Sequence, residues 1–280
     1  MTDRAGLASH IEALSQSTVL CVGDLMLDRF VYGAVTRISP EAPIPVVRVE
    51  DERAMLGGAG NVVHNLVTLG ARCTFVSVIG ADPEGHELAA KVGAEGGVEA
   101  YLLTEPDRPS TVKTRYIAGG QQLLRADRET DRPLSEAIAN DLTRAACDAV
   151  DACDAVILSD YGKGVISDAL AATLIERARA AGKPVVVDPK GTDFGRYRGA
   201  SVVTPNRHEL AAATGMATLG DDDVVAAARK AIDDCGVEAI LVTRGRDGMS
   251  LVTAGDANHV PALAREVFDV SGAGDTVVAV

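Results

Sequence analysis

Gly272, Ala273, Gly274 and Asp275 open an apolar, helix-like run at the end of the chain. Free N–H groups at a helix start, aided by the helix dipole, attract anions. A carboxylate in that turn is either an ordinary N-terminal helix charge, worth a few tenths to about 1 kcal/mol, or a general base for a hydroxyl that attacks phosphorus. Upstream, Gly57 and Gly58 let a ligand approach the backbone closely. Asn61 then begins a helix, either as its N-cap or as an amide reaching sugar hydroxyls. Asn206 and Glu209, three residues apart, form either a capping box or a set of oxygens at a strand's carboxyl end suited to hydrated Mg²⁺ and phosphates. Thr243, Gly245 and Gly248 fall in a strand–turn–strand, which as a plain hairpin needs no ligand.

Composition narrows the field. Twenty-seven basic residues against 40 acidic ones leave a net charge of −13, a poor match for nucleic acid or an anionic membrane. An anionic substrate therefore needs local cations, and Lys113, Arg115, Arg125, Lys163 and Lys190 are the candidates. Lys163 and Lys190 stand out because each follows a predicted strand. The five cysteines are odd in number with no Cys-x-x-Cys pair, as expected of reduced thiols in the cytosol. No secretory leader and no membrane-spanning run is apparent, so a soluble cytoplasmic protein is expected. The phosphate loop G-x-x-x-x-G-K-[ST], a G-x-G-x-x-G after the first strand, H-E-x-x-H and any Cys/His cluster are all missing from the sequence.

The elements that must position these groups alternate. Near-continuous β-branched runs at 18–23, 73–80, 154–160, 184–189, 200–206 and 239–245 read as buried strands. Amphipathic segments at 61–70, 85–97, 135–150, 167–183 and 221–236 read as helices, several opened by Ser or Asp and closed by Gly. Such alternation predicts an α/β fold around a parallel sheet with right-handed crossovers. Residues 29–50 and 108–127 break the rhythm and read as a small second sheet standing off the first, within a single domain spanning 1–280.

Together and in this order, the motifs resemble the ribokinase-like (PfkB) carbohydrate kinases. The likeness rests on Gly23 with Asp28, on Gly57, Gly58 and Asn61, on Asn206 with Glu209, on Thr243, Gly245 and Gly248, and on Gly272–Asp275. It implies a doubly wound, mostly parallel sheet with helices on both faces and a small β lid. Within the family, the runs at 23–47, 55–71, 113–127, 158–165 and 186–191 are most similar to the D-glycero-β-D-manno-heptose-7-phosphate kinases. That likeness implies ATP-dependent phosphorylation of the C1 hydroxyl, giving the 1,7-bisphosphate on the way to ADP-heptose for lipopolysaccharide core.

By the same resemblance, Asp275 is the base and the Gly272, Ala273 and Gly274 amides face phosphate. Asp28 and Asn61 hold sugar hydroxyls beside Gly57 and Gly58, and the lid cations Lys113, Arg115 and Arg125, with Lys163, serve the sugar phosphate. Lys190, Asn206, Glu209, Thr243, Gly245 and Gly248 line the nucleotide side, with Mg²⁺ near Asn206 and Glu209 through water. ATP and Mg²⁺ are the implied cofactors, a monovalent cation is left open, and a homodimer through the lid is expected. A kinase of another sugar and a non-catalytic nucleotide- or sugar-phosphate-binding protein remain alternatives. The family continues by one or two helices beyond the point matching Val280, often followed by a nucleotidyltransferase domain, so either the native chain is longer or this chain is expected to bind ATP poorly.

Overall fold

The computed structural model describes residues 12–262 and 272–280. In chain order, β1 (Thr18–Gly23) leads into a long hairpin of β2 (Leu25–Ile38) and β3 (Pro45–Gly58). There follow α1 (Ala59–Thr68), β4 (Arg72–Gly80), α2 (Pro83–Ala94), β5 (Val98–Glu105) and a second hairpin, β6 (Thr111–Ala118) with β7 (Gln121–Arg128). The chain then runs through α3 (Glu136–Ala149), β8 (Ala155–Ser159), α4 (Asp168–Ala180), β9 (Val185–Asp188), β10 (Val202–Val203), α5 (Arg207–Thr214) and α6 (Asp221–Cys235). It closes with β11 (Ala239–Thr243), β12 (Met249–Thr253), β13 (Ala257–Val260) and α7 (Ala273–Ala279).

Nine strands make the main sheet in the order β13-β12-β11-β10-β9-β8-β1-β4-β5. Neighbouring strands pair parallel except β11 with β12 and β12 with β13, which pair antiparallel, so β12 alone runs against the rest. From β1 the chain builds outward through β4 to β5. It then returns to β8, on the other side of β1, and builds the opposite way. The order thus reverses at the β1/β8 boundary, and the crevice outside the carboxyl ends of such strands is where ligands bind in open α/β sheets.

Side-chain alternation along β1 assigns the two faces. Leu20 and Val22 pack with Leu142 of α3, Leu174 of α4, Leu210 of α5 and Val224 of α6. Val19 and Cys21 pack with Val62 of α1, Leu88 of α2 and Val278 of α7. Each fully buried aliphatic side chain contributes about 1.5–3 kcal/mol by leaving water. Caps fix where helices begin. The Asp82 carboxylate accepts the Gly85 N–H at 2.8 Å, and the Ser167 hydroxyl accepts the Leu170 N–H at 3.1 Å.

The second sheet runs β3-β2-β6-β7, with β2 and β6 parallel at its centre. It is the expected lid, but larger: the first hairpin spans Leu25–Gly58 rather than 29–50. Its base is anchored because Leu27, Leu56 and Val112 join the α1/α2 core, whereas every residue of β7 is exposed.

Three expectations need correction. The strand read at 200–206 is only Val202–Val203, because Pro205 has no N–H to donate to a ladder. The edge strands β5 and β13, mostly exposed or half-buried, were not among the expected strands. Asn61 is not an N-cap: it is the third residue of α1, whose N-cap is Gly58.

Candidate active site

The crevice is organised by a carboxylate at the end of β1. Asp24 is 1% exposed and accepts the backbone N–H groups of Tyr161 at 2.8 Å, Lys163 at 3.1 Å and Val165 at 3.0 Å. One side chain thus sets the loop that leaves β8. Burial, then the neighbouring Asp160, raises the Asp24 carboxyl above its usual range, against the opposing pull of the three N–H donors. The loop is gripped from outside as well. Arg108, itself fixed by Glu105 at 2.7 Å, donates to the Lys163 carbonyl at 2.8 Å and to that of Arg132.

Asp275, in the first turn of α7, is buried under this loop. Asn61 Nδ2 donates to its Oδ2 at 2.6 Å, and the Tyr161 hydroxyl donates to its Oδ1. Helix α1, the β8 loop and α7 therefore converge on one carboxylate whose two oxygens are both oriented. Burial, then the charge of Asp275, pushes the Tyr161 phenol far up, so it stays a proton donor. Gly272 sits against Asn61: a Cβ there would lie 2.5 Å from Asn61 Nδ2. Ala273 and Gly274 form the first turn beside Asp275.

Above this centre stands the lid. Asp28 and Lys113 are cross-strand partners on β2 and β6. Arg115 Nη1 donates to Asp28 Oδ1 at 2.5 Å, with the guanidinium lying over the Phe30 ring at 5.1 Å. A Cβ at Gly57 would fall 2.1 Å from Asp28 Oδ2, so any larger residue there would displace the Asp28 side chain. Gly58 closes β3 next to it. Lys113 and Lys163 both reach Glu129, while Arg125, on the exposed strand β7, holds Asp127 at 3.0 Å.

The other half of the crevice lies at the ends of β9, β10 and β11. Asn206 and Glu209 form a reciprocal capping box on α5: Asn206 Oδ1 accepts the Glu209 N–H at 3.0 Å, and Glu209 Oε2 accepts the Asn206 N–H at 2.9 Å. The local reading of that pair is thus satisfied. Glu209 Oε1 remains turned toward Lys190 Nζ at 3.6 Å. Thr243 bridges to Asn206 across the sheet, and Gly245 and Gly248 shape the turn from β11 to β12. At Gly248 (φ 86°) a Cβ would strike the Val260 carbonyl.

Asp188, at the end of β9, joins the two halves. Burial, then the charges of Asp275 and Glu209, pushes its carboxyl up to about 8. Such crowding of carboxylates suits a cation. Among the described residues no three His, Cys, Asp or Glu side chains converge to hold one. A largely hydrated Mg²⁺, which takes one or two carboxylates plus substrate phosphates, is a cation such a crowded pair would suit. Asp188 and Glu209 are the carboxylates that would hold it.

Asn61, Asp28 and Asp275, expected from the sequence, lie together in this crevice, and Asp24, Tyr161, Arg108 and Asp188, not singled out by it, join them. Asp24 directly follows Gly23, and Tyr161 lies two residues before Lys163. Asp24, Tyr161 and Asp188 also lie inside the runs 23–47, 158–165 and 186–191 that carry the family likeness.

This constellation, at the reversal point of a doubly wound sheet under a β lid, defines a ribokinase-like fold with a carboxylate-centred site. The chain belongs to the pfkB family of carbohydrate kinases, whose model matches residues 16–280. It is 58% identical over all 280 residues to the bifunctional protein HldE of Paramagnetospirillum magneticum, covering 57% of that protein. It is 56% identical over the same length to HldE of Rhodospirillum rubrum, covering 56%. The chain thus spans a little over half the length of these relatives. Among solved structures, Arabidopsis thaliana ribokinase complexed with ribose and ATP superposes with a TM-score of 0.73 at 22% identity, over 94% of this chain and 84% of that one. Escherichia coli phosphofructokinase-2 in complex with substrates and products gives 0.76 at 20% identity, over the same shares. At such identities these two likenesses establish the fold alone. Among the described residues, no helix is long and apolar enough to cross a membrane.

Proposed function

We propose that this chain transfers the γ-phosphoryl group of ATP to the C1 hydroxyl of D-glycero-D-manno-heptose 7-phosphate, giving the 1,7-bisphosphate used toward ADP-heptose and lipopolysaccharide core. The observation that carries the reading is Asp275, buried at the β1/β8 reversal with both oxygens oriented by Asn61 and Tyr161. A carboxylate so held is positioned to take a hydroxyl proton as that oxygen attacks phosphorus in line. Identity of 58% and 56% over all 280 residues of this chain to a little over half of each HldE protein supports the heptose assignment.

In this reading Asp28 and Asn61 hold sugar hydroxyls, with Arg115 fixing Asp28. The nucleotide lies toward β9–β11, near Lys190, Thr243, Gly245 and Gly248, its phosphates facing the amides of Gly272, Ala273 and Gly274. Mg²⁺ supplies charge neutralisation on the transferring phosphates when bound. The lid excludes water, which competes as acceptor. ATP and a sugar phosphate as substrates support a cytoplasmic reaction. Exposed Ile38, Ile44, Val49, Leu123 and Leu124 on the lid support a homodimer through that sheet.

The test is ADP release with ATP, Mg²⁺ and a panel of sugars, with phosphorus NMR of the product. Heptose 7-phosphate is expected to turn over and to yield an anomeric phosphate. Turnover of ribose or fructose without turnover of heptose 7-phosphate would overturn the assignment.

A further inference from the structure

Glu129 follows the last lid strand, and its carboxylate lies between two ammonium groups. Oε1 is 2.8 Å from Lys163 Nζ and Oε2 is 3.2 Å from Lys113 Nζ. The lysine side chains are sheltered, at 17% exposed for Lys113 and 19% for Lys163, while Glu129 is more open at 31%. Burial by itself would raise the Glu129 carboxyl, but Lys163 and Lys113 outweigh it and hold the group below its ordinary range. Lys113 makes a second, longer pair with Asp127 at 3.4 Å.

The two lysines belong to different bodies. Lys113 is on the lid, directly across from Asp28. Lys163 is on the loop fixed by Asp24 and Arg108, two residues from Tyr161. The Tyr161 hydroxyl in turn donates to Asp275 Oδ1. The two-lysine cradle is therefore contiguous with the carboxylate centre at Asp275. In a protein of net charge −13, two sheltered ammoniums aimed at one point beside a sugar site form a built anion cradle.

We propose that Glu129 occupies, in the free enzyme, the Lys113/Lys163 cradle expected to take the phosphate monoester of the substrate, and is displaced when that phosphate arrives. The proposal rests on the sugar-phosphate reading given above. A phosphate monoester carries about −1.5 to −2 charge near pH 7 and three acceptor oxygens, against one charge and two oxygens on Glu129. It therefore outcompetes the carboxylate for two point-charge donors. An unphosphorylated sugar cannot, and leaves Glu129 in place. Glu129 is thus a specificity device: it keeps the cradle satisfied until a dianion enters. Because one lysine rides on the lid and the other is fixed to the main sheet, the incoming phosphate also takes over the tie between them.

The experiment is calorimetric titration with inorganic phosphate, with ADP and Mg²⁺ saturating the nucleotide side, on wild type, Glu129→Gln and Lys163→Met. Glu129→Gln is expected to bind phosphate about three- to tenfold more tightly than wild type, and Lys163→Met at least about tenfold more weakly. Unchanged or weaker binding by Glu129→Gln overturns the proposal, as does unchanged binding by Lys163→Met. If Lys163→Met does not fold by circular dichroism, Lys113→Met carries the same expectation. Heptose 7-phosphate turnover is measured separately. Tighter phosphate binding by Glu129→Gln without any wild-type turnover of that sugar would keep the subsite and remove the heptose reading.

Discussion

Asn61 and Asp275, 214 residues apart in the chain, meet in a 2.6 Å hydrogen bond. The amide belongs to the third position of α1 and the carboxylate to the first turn of α7, so each helix fixes the other's functional group. Asp275→Asn keeps the size and one acceptor but removes the base. Its kcat is expected to fall by about 10²- to 10⁴-fold, with sugar binding by calorimetry largely kept. Unchanged turnover would remove Asp275 from the base role.

Tyr161 holds the other oxygen of Asp275 and contributes no volume that phenylalanine lacks except the hydroxyl. Tyr161→Phe is expected to lower kcat by about tenfold while leaving the KM for ATP and the melting temperature near wild type. A KM effect without a kcat effect would place Tyr161 in substrate binding instead.

Asp188 makes stability depend on pH. Its folded-state carboxyl is pushed up to about 8, above the unfolded value near 3.9. Between those values the folded protein holds a proton that the unfolded chain has released, so stability falls as pH rises from about 4 to about 8. Asp188→Asn removes that dependence. In thermal melts without nucleotide or metal, the variant is expected to gain several degrees over wild type at pH 8.5 and much less at pH 5. An equal difference at both pH values would contradict the assignment.

Gly57→Ala places a methyl group 2.1 Å from Asp28 Oδ2, which must drive Asp28 off Arg115. The expected result is a KM for the sugar raised about tenfold and a loss of about 1–3 kcal/mol in stability from overpacking, read by kinetics and denaturant melts. Wild-type KM would show that Asp28 does not contact sugar.

Leu124, on β7, is 57% exposed, and Ile38, at the end of β2, is 61% exposed. If the lid mediates dimerisation, Leu124→Asp with Ile38→Asp is expected to halve the mass seen by light scattering without changing the circular dichroism spectrum. A monomeric wild type would dispose of the lid dimer.

Much of this was legible from pattern. Buried strands such as Thr18–Gly23 and Val185–Asp188 are near-continuous runs of β-branched residues, and Asp275 sits in a compact local motif. What spacing could not decide was which of two satisfactory roles a polar residue takes. Asn206 and Glu209 do form the capping box that their spacing allowed, whereas Asn61 abandons capping for a partner at the far end of the chain. Asp24, Tyr161 and Glu129 escaped notice because their roles exist only through contacts between distant segments. The three N–H groups that Asp24 gathers come from residues 161 to 165, and no local spacing announces them.

The parallel pairing of β2 with β6 at the centre of the lid has a consequence for how the molecule assembles. Each lid hairpin can zip from its own turn, but Met26 must find Thr111 across α1, β4, α2 and β5. That contact closes a long loop and is costly until the intervening elements have compacted. The main sheet around β1 and β4 is therefore expected to form early and the lid to be completed late. A newly made molecule would pass through a stage with a folded sheet, an incomplete sugar site and two unpaired strand edges, the stage at which aggregation competes with folding.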